Sequence, residues 1–144
     1  MPEAVVIRPA TMRDLEGLAS LLLTVTPRGV NAAVNGDTPN QCLERMLTNG
    51  RGRVLAAFGV DGTVVGMCSG TLTTCMAEGG PAVLIEDVVV REDRRGQGLG
   101  ARLVDMLADR ARDDQAGRLA LLADPDASLA NGPEATFKHP DIHL

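Results

Sequence analysis

The chain has no tyrosine and no tryptophan, and its only aromatic side chains are Phe58 and Phe137. Readers of single-stranded nucleic acid stack bases on aromatic rings, so this composition argues against that class. Positive charge is also short: 14 basic against 19 acidic side chains leave a net charge of −5, and no nucleic-acid partner is expected. No apolar run approaches the ~18–20 residues of a membrane span, so no membrane partner is expected either. The N-terminus, MPEAVVIRP, places Glu3 early and has no basic segment ahead of an apolar one. It does not read as a signal peptide, and the expected location is cytoplasmic. Cysteine is scarce: Cys42, Cys68 and Cys75 fit no metal-ligand spacing, and the two histidines, His139 and His143, lie far from them. Three reduced, mostly buried thiols and no metal are expected.

What remains is ample for a core. At 144 residues and 44% hydrophobic, the expectation is one domain, 1–144, burying about 68–70% of its unfolded surface. Residues 4–8 (AVVIR) read as a short strand closed by Pro9. Thr11 with Asp14 marks a helix start, and Leu15, Leu18, Leu21 and Leu22 carry the buried-face spacing to about Val25. Residues 26–37 form a loop of small residues. Thr38 as cap, Pro39 at the first helical position, Gln41 closing a capping box and Gly50 as terminator outline a second helix.

The apolar period then becomes two. Residues 53–60 and 63–72 form a hairpin around a type I′ turn at Asp61-Gly62, and 82–90 (AVLIEDVVV) adds a third strand. A loop, 91–98 (REDRRGQG), leads into a helix from about Leu99 to Asp114. Leu99, Leu103, Met106, Leu107 and Ala111 are its expected buried stripe, with Arg102, Asp105, Asp109 and Arg112 facing water. Gly117 ends it, and 118–123 (RLALLA) reads as a buried strand. The order β-α-α-β-β-β-α-β makes an α/β mixed-sheet domain.

The stretch VVVREDRRGQGLGARL carries the chemistry. Gly96, Gly98 and Gly100 alternate between a strand and a helix, so a phosphate can approach the main chain. The N–H groups of the first helical turn point at it, and the helix dipole adds about half a positive charge. Arg94 and Arg95 are expected at the mouth, within the basic cluster they form with Arg91. A pyrophosphate cradle results. A dinucleotide fold would need G-x-G-x-x-G directly after the first strand, but Leu103 stands where the third glycine should be. Asp124 does fall after the next strand, yet the strand–glycine spacing and the position late in the chain exclude that topology.

In this loop the chain resembles the GCN5-related N-acetyltransferase (GNAT) family. Arg95-Gly96-Gln97-Gly98-Leu99-Gly100 is similar to that family's R-G-x-G-x-G/A acyl-CoA pyrophosphate loop, and the preceding valine strand and element order match from about Val5 to Ala123. IEDVVV is similar to a segment of glucosamine-6-phosphate N-acetyltransferases and of other members. The resemblance implies a GNAT-type fold: a mixed, mostly antiparallel sheet with helices on both faces. It implies acetyl-CoA as cosubstrate, no metal, and direct acetyl transfer to a primary amine of a small molecule. Val88, Val89 and Val90 would pair through their main chain with the pantetheine arm, where a bulge splays the strand. Gly96 belongs to the cofactor loop, Gln97, Gly98, Leu99, Gly100 and Ala101 would supply N–H groups, and Arg95 would hold a phosphate from outside.

The thioester would lie beside Glu86 to Val88, polarised by a main-chain N–H near Val88. An alkylamine is mostly protonated at pH 7, and a carboxylate within reach takes the proton. Glu86 and Asp87 are adjacent on a strand and so are expected on opposite faces. Glu86 is the expected catalytic base, in an acceptor pocket built with 26–37 and the second helix.

The C-terminal end departs from the family. Members carry A-x-x-F-Y-x-x-x-G-F after the fifth strand, and its tyrosine commonly protonates the departing thiolate. Here Ala135-Thr136-Phe137-Lys138 keeps an Ala and a Phe, one residue closer together than in that pattern, with Lys138 in the tyrosine's place, so 124–144 is an atypical segment. Either the thiolate leaves unassisted, with a thiol pKa of about 8.5, or Lys138 or His139 donates. An interrupted sheet edge near 124–144 invites pairing into a homodimer. Two other readings stay open: a catalytically weak acyl-CoA-binding module, and an acetyltransferase of protein N-termini or lysines.

Overall fold

The computed structural model describes residues 4–25, 39–75, 80–113, 119–121 and 142–143. Within these, the period-two segments form one sheet and the period-3.6 segments cover its two faces. The elements run β1 (Val6–Pro9), α1 (Leu15–Val25), α2 (Pro39–Thr48), β2 (Gly52–Phe58), β3 (Val64–Cys75), β4 (Gly80–Val90), α3 (Leu99–Asp113), β5 (Leu119–Leu121) and β6 (Ile142–His143). Strands β1 to β4 are antiparallel neighbours in that order, β5 lies parallel to β4, and β6 also pairs with β4. The expected element order is the observed one, with β6 added.

On one face, Val83, Ile85, Val88 and Val90 of β4 pack against Leu99, Leu103, Leu107 and Ala111 of α3. On the other, Met67 and Val89 pack against Leu18 and Leu21 of α1 and Leu43 of α2. Fully burying one such side chain stabilises by about 1.5–3 kcal/mol. The buried stripe of α3 steps through 99/100, 103/104, 107/108 and 111, so Val104 and Ala108 belong to it. Met106 lies off that stripe and is 36% exposed, contrary to expectation.

The chain reversals have local causes. The Thr11 N–H donates to Asp14 Oδ2 at 2.8 Å and the Asp14 N–H returns to the Thr11 carbonyl at 2.9 Å, winding a 3₁₀ turn ahead of α1. Asp14 also accepts both terminal nitrogens of Arg8 at 2.9 and 3.0 Å, and that guanidinium lies 4.2 Å from the centre of the Phe58 ring. These bonds, Arg8 foremost, hold the buried Asp14 carboxyl below its ordinary value. The β2–β3 turn differs from the expected type I′. Gly62 N–H bonds to the Gly59 carbonyl and Gly59 N–H to that of Thr63, so Val60, Asp61 and Gly62 form a three-residue loop with Gly62 at φ +82. The cap at Thr38 and the terminator at Gly117 lie outside the described residues.

Candidate functional site

Strand β4 carries a bulge at Glu86. Ser69 of β3 lies opposite Asp87 and Gly70 opposite Ile85, so Glu86 is an extra residue with no partner across the ladder. The extra residue shifts the alternation: Val83 and Ile85 face α3 before it, Val88 and Val90 after it. Both acids meet hydroxyls of β3. The Ser69 hydroxyl donates to Asp87 Oδ2 at 3.3 Å and the Thr71 hydroxyl to Glu86 Oε1 at 2.5 Å. Thr71 Oγ1 also lies 3.8 Å from Met46 Sδ on α2, which places Ser69 and Thr71 on the α1–α2 side. The expectation of opposite faces is therefore corrected: a bulge, which simple alternation does not foresee, brings both carboxylates to one side.

Sequence reasoning put Asp87 on the far face and missed the hydroxyls of Ser69 and Thr71 that meet the two carboxylates. The legible signal was the switch of buried valines and isoleucine from odd to even positions across Glu86-Asp87. Cys68, next to Ser69, is fully buried, and burial foremost, with Asp87 second, pushes its thiol up. Enclosed in the core, that thiol is out of a substrate's reach. Cys42 is exposed on α2, against the expectation of mostly buried thiols.

Past the bulge, the outer edge of β4 changes neighbour. Val83 to Ile85 pair with Leu119 to Leu121 of β5, whereas Val88 and Val89 pair with Ile142 and His143 of β6. The edge expected to take the pantetheine arm is thus met by the chain's own strand, and the three valine side chains are buried beneath it.

The glycine loop begins where β4 ends. Gly96 and Gly98 have φ of +78 and +80, a left-handed backbone that glycine adopts without strain. A Cβ built on either meets no atom within 4 Å, so the room beside the loop is free of protein. Gly98 caps α3, its carbonyl accepting from the Arg102 N–H at 3.1 Å. Helix geometry then leaves the N–H groups of Leu99, Gly100 and Ala101 without an intrahelical acceptor. Arg95 is exposed beside Gly96 and Gln97, and its Nε donates to the Val90 carbonyl at 3.0 Å, tying the loop to β4. Arg94 is corrected: it is buried, with a terminal nitrogen 3.5 Å from where a Cβ on Gly59 would sit, and does not stand at the mouth. Arg91 bonds Asp93 at 2.6 and 2.9 Å.

Two open glycines, first-turn N–H groups and one exposed guanidinium fit a diphosphate. Clefts of about 250 Å³ (with Met46, Arg53 and Arg110) and about 400 Å³ (with Arg51, Leu72 and Pro81) are lined by neither Glu86 nor this loop. Residues 26–37, expected in the acceptor pocket, and Lys138 and His139, expected as donors, lie outside the described residues. Among the described residues no group of three His, Cys, Asp or Glu is placed to hold a metal, and no helix is long and apolar enough to cross a membrane.

No curated protein matches the chain significantly. Among solved structures it is similar to a ribosomal-protein-alanine N-acetyltransferase from Brucella melitensis biovar Abortus 2308, 28% identical over 85% of this chain and 82% of that one, with TM-score 0.66. It shares its fold with an aminoglycoside N-acetyltransferase solved with CoA, 18% identical over 88% and 81% of the two chains, TM-score 0.72. The same holds for glucosamine-6-phosphate N-acetyltransferase of Arabidopsis thaliana, 23% identical over 86% and 85%, TM-score 0.67. The model of the GNAT acetyltransferase family matches residues 18–131, spanning the bulge, the glycine loop and α3, and the chain belongs to that family.

Proposed function

We propose that this acetyltransferase moves the acetyl group of acetyl-CoA directly to a primary amine of a small molecule. The observation that carries the reading is the continuous β4–loop–α3 unit, with two carboxylates at the bulge and two open, positive-φ glycines at the strand's exit. The names of the aminoglycoside and glucosamine-6-phosphate enzymes that share the fold support a small amine as acceptor.

Acetyl-CoA, when bound, supplies the acetyl group already activated as a thioester. The chain's own residues do the rest. The N–H groups of Gln97 to Ala101, with Gly96 shaping the turn, and the Arg95 guanidinium hold the diphosphate. The main chain of Val88, Val89 and Val90 takes the pantetheine arm along the β4 edge. Glu86 removes the proton from the acceptor's ammonium, so that a neutral amine is presented; general-base groups of this kind contribute about 10²–10⁴-fold. The coenzyme thiolate leaves unassisted.

The test is release of free thiol from acetyl-CoA with an aminoglycoside, glucosamine 6-phosphate, and a peptide beginning with alanine. Turnover with either small amine supports the proposal. A second reading, acetylation of protein N-termini, is favoured by the 28% identity to the ribosomal-protein-alanine enzyme, and turnover with the peptide alone would select it. Binding of CoA with no turnover on any amine would reduce the chain to a binding module.

A further inference from the structure

We propose that Thr71 is a positioning residue for Glu86, an inference that rests on the reading of Glu86 as the base. Glu86 is skipped by the ladder on the β3 side; on the outer edge, β5 pairing stops at Ile85 and β6 pairing starts at Val88. A bulged residue lacks the ladder bonds that fix a strand's aim. One side-chain contact does that work instead. Thr71 Oγ1–H donates to Glu86 Oε1 at 2.5 Å, and among the described residues it is that carboxylate's one hydrogen-bond partner.

Thr71 is itself well held. It sits in register opposite Leu84, and its β-branched side chain has few rotamers. Its hydroxyl carries a single proton, and the nearby Met46 thioether is a weak acceptor, so the proton goes to Glu86. Oε1 is thereby occupied and Oε2 is left to act. The ammonium N–H bond breaks, an O–H bond forms at Oε2, and the electron pair stays on nitrogen for attack. Without the hydroxyl, Glu86 samples orientations that do not reach the acceptor, and kcat falls with no change in how acetyl-CoA binds.

Steady-state thiol release by the full chain and its Thr71→Val, Thr71→Ser and Glu86→Gln variants tests this, using the three amines named above. Thr71→Val should lower kcat about tenfold with KM for acetyl-CoA unchanged, and Thr71→Ser should restore it. Thr71→Val at full rate beside an inactive Glu86→Gln overturns the role of Thr71 and spares the base. Failure of Thr71→Ser to rescue also overturns it. Full activity in Glu86→Gln, or no wild-type turnover on any amine, overturns the base reading and the role of Thr71 together.

A separate observation carries a second inference. The main chain at Val88 and Val89 can serve one partner on its outer edge, and Ile142 and His143 hold that place. The geometry points to β6 as a displaceable strand that competes with the pantetheine arm, again resting on the cofactor reading. Its ladder is two residues long, so its release is within reach of a ligand. When only a fraction of molecules has the edge free, apparent affinity falls by that fraction. Calorimetry with CoA on the full chain, on a chain ending at residue 141, and on Ile142→Pro is the test. Both variants should bind about tenfold tighter than the full chain. Equal affinities overturn the displaceable strand and leave the cofactor reading intact, whereas no binding by any of the three overturns both.

Discussion

Among the described residues, four glycines share one backbone geometry and the same open space, but only two of them lie in the loop assigned to the diphosphate. Gly50, Gly62, Gly96 and Gly98 have φ between +78 and +82, and a Cβ on any of them meets no atom within 4 Å. Alanine at each position therefore costs the same left-handed strain, about 1–2 kcal/mol, with no steric surcharge. For a domain of this size that lowers Tm by roughly 2–8 °C in all four variants. Gly50 follows α2 and Gly62 lies in the β2–β3 loop, and neither belongs to the 95–101 segment assigned to the diphosphate, so they serve as matched controls. The difference should appear on adding CoA. At 100 times Kd a ligand stabilises by about 2.7 kcal/mol, roughly 5–11 °C here. Gly50→Ala and Gly62→Ala should keep that increment. In Gly96→Ala and Gly98→Ala the new methyl enters the space assigned to the diphosphate. A hundredfold loss of affinity there leaves about 0.4 kcal/mol, close to 1 °C. Thermal unfolding with and without CoA reads both numbers at once. Equal CoA increments in all four variants would refute the assignment of the loop, whatever their basal Tm.

Other outcomes follow from single contacts. Glu86→Gln should lower kcat by about 10²–10⁴ while CoA affinity is unchanged, measured by thiol release and calorimetry. Asp14, held below the ordinary 3.8 by Arg8, binds fewer protons folded than unfolded. Its contribution is complete above that ordinary value and is lost as pH falls through the lower folded one. Asp14→Asn should thus cost about 1–2 kcal/mol at pH 7, Arg8 being half exposed, with the gap to wild type closing in strong acid as followed by denaturant unfolding. Gly52→Ala should destabilise by about 1–3 kcal/mol or more, because its Cβ would sit 1.9 Å from the Met46 carbonyl oxygen and main chain must yield. Leu107→Ala, at a fully buried position of α3, should cost about 2–5 kcal/mol in the same experiment.

The sheet order was legible because alternation and glycine punctuation agree through most of the chain. Asp61-Gly62 located the hairpin, and the alternating glycines at 96, 98 and 100 located the end of β4 and the start of α3. The failures share a cause: each depends on a partner distant in sequence. The bulge at Glu86 exists only opposite Ser69 and Gly70, so a reading of β4 alone put its two acids on opposite faces. Arg94 looks like a companion of Arg95, yet β2–β3 supplies the site beside Gly59 that buries it. Met106 fits an apolar stripe by residue type, and packing placed Val104 and Ala108 there instead. The pairing of Ile142 and His143 with Val88 and Val89 joins residues far apart in the chain, and nothing local marks it.

Everything proposed for the site requires that the main-chain amides from Gln97 to Ala101 receive the coenzyme's diphosphate. An amide-resolved NMR titration of the isotope-labelled chain with CoA tests it most directly. Those five amide resonances should shift furthest and saturate together, while those of Gly50 and Gly62 hold still. A titration in which CoA binds but the largest shifts fall elsewhere, with Gln97 to Ala101 unmoved, would contradict it.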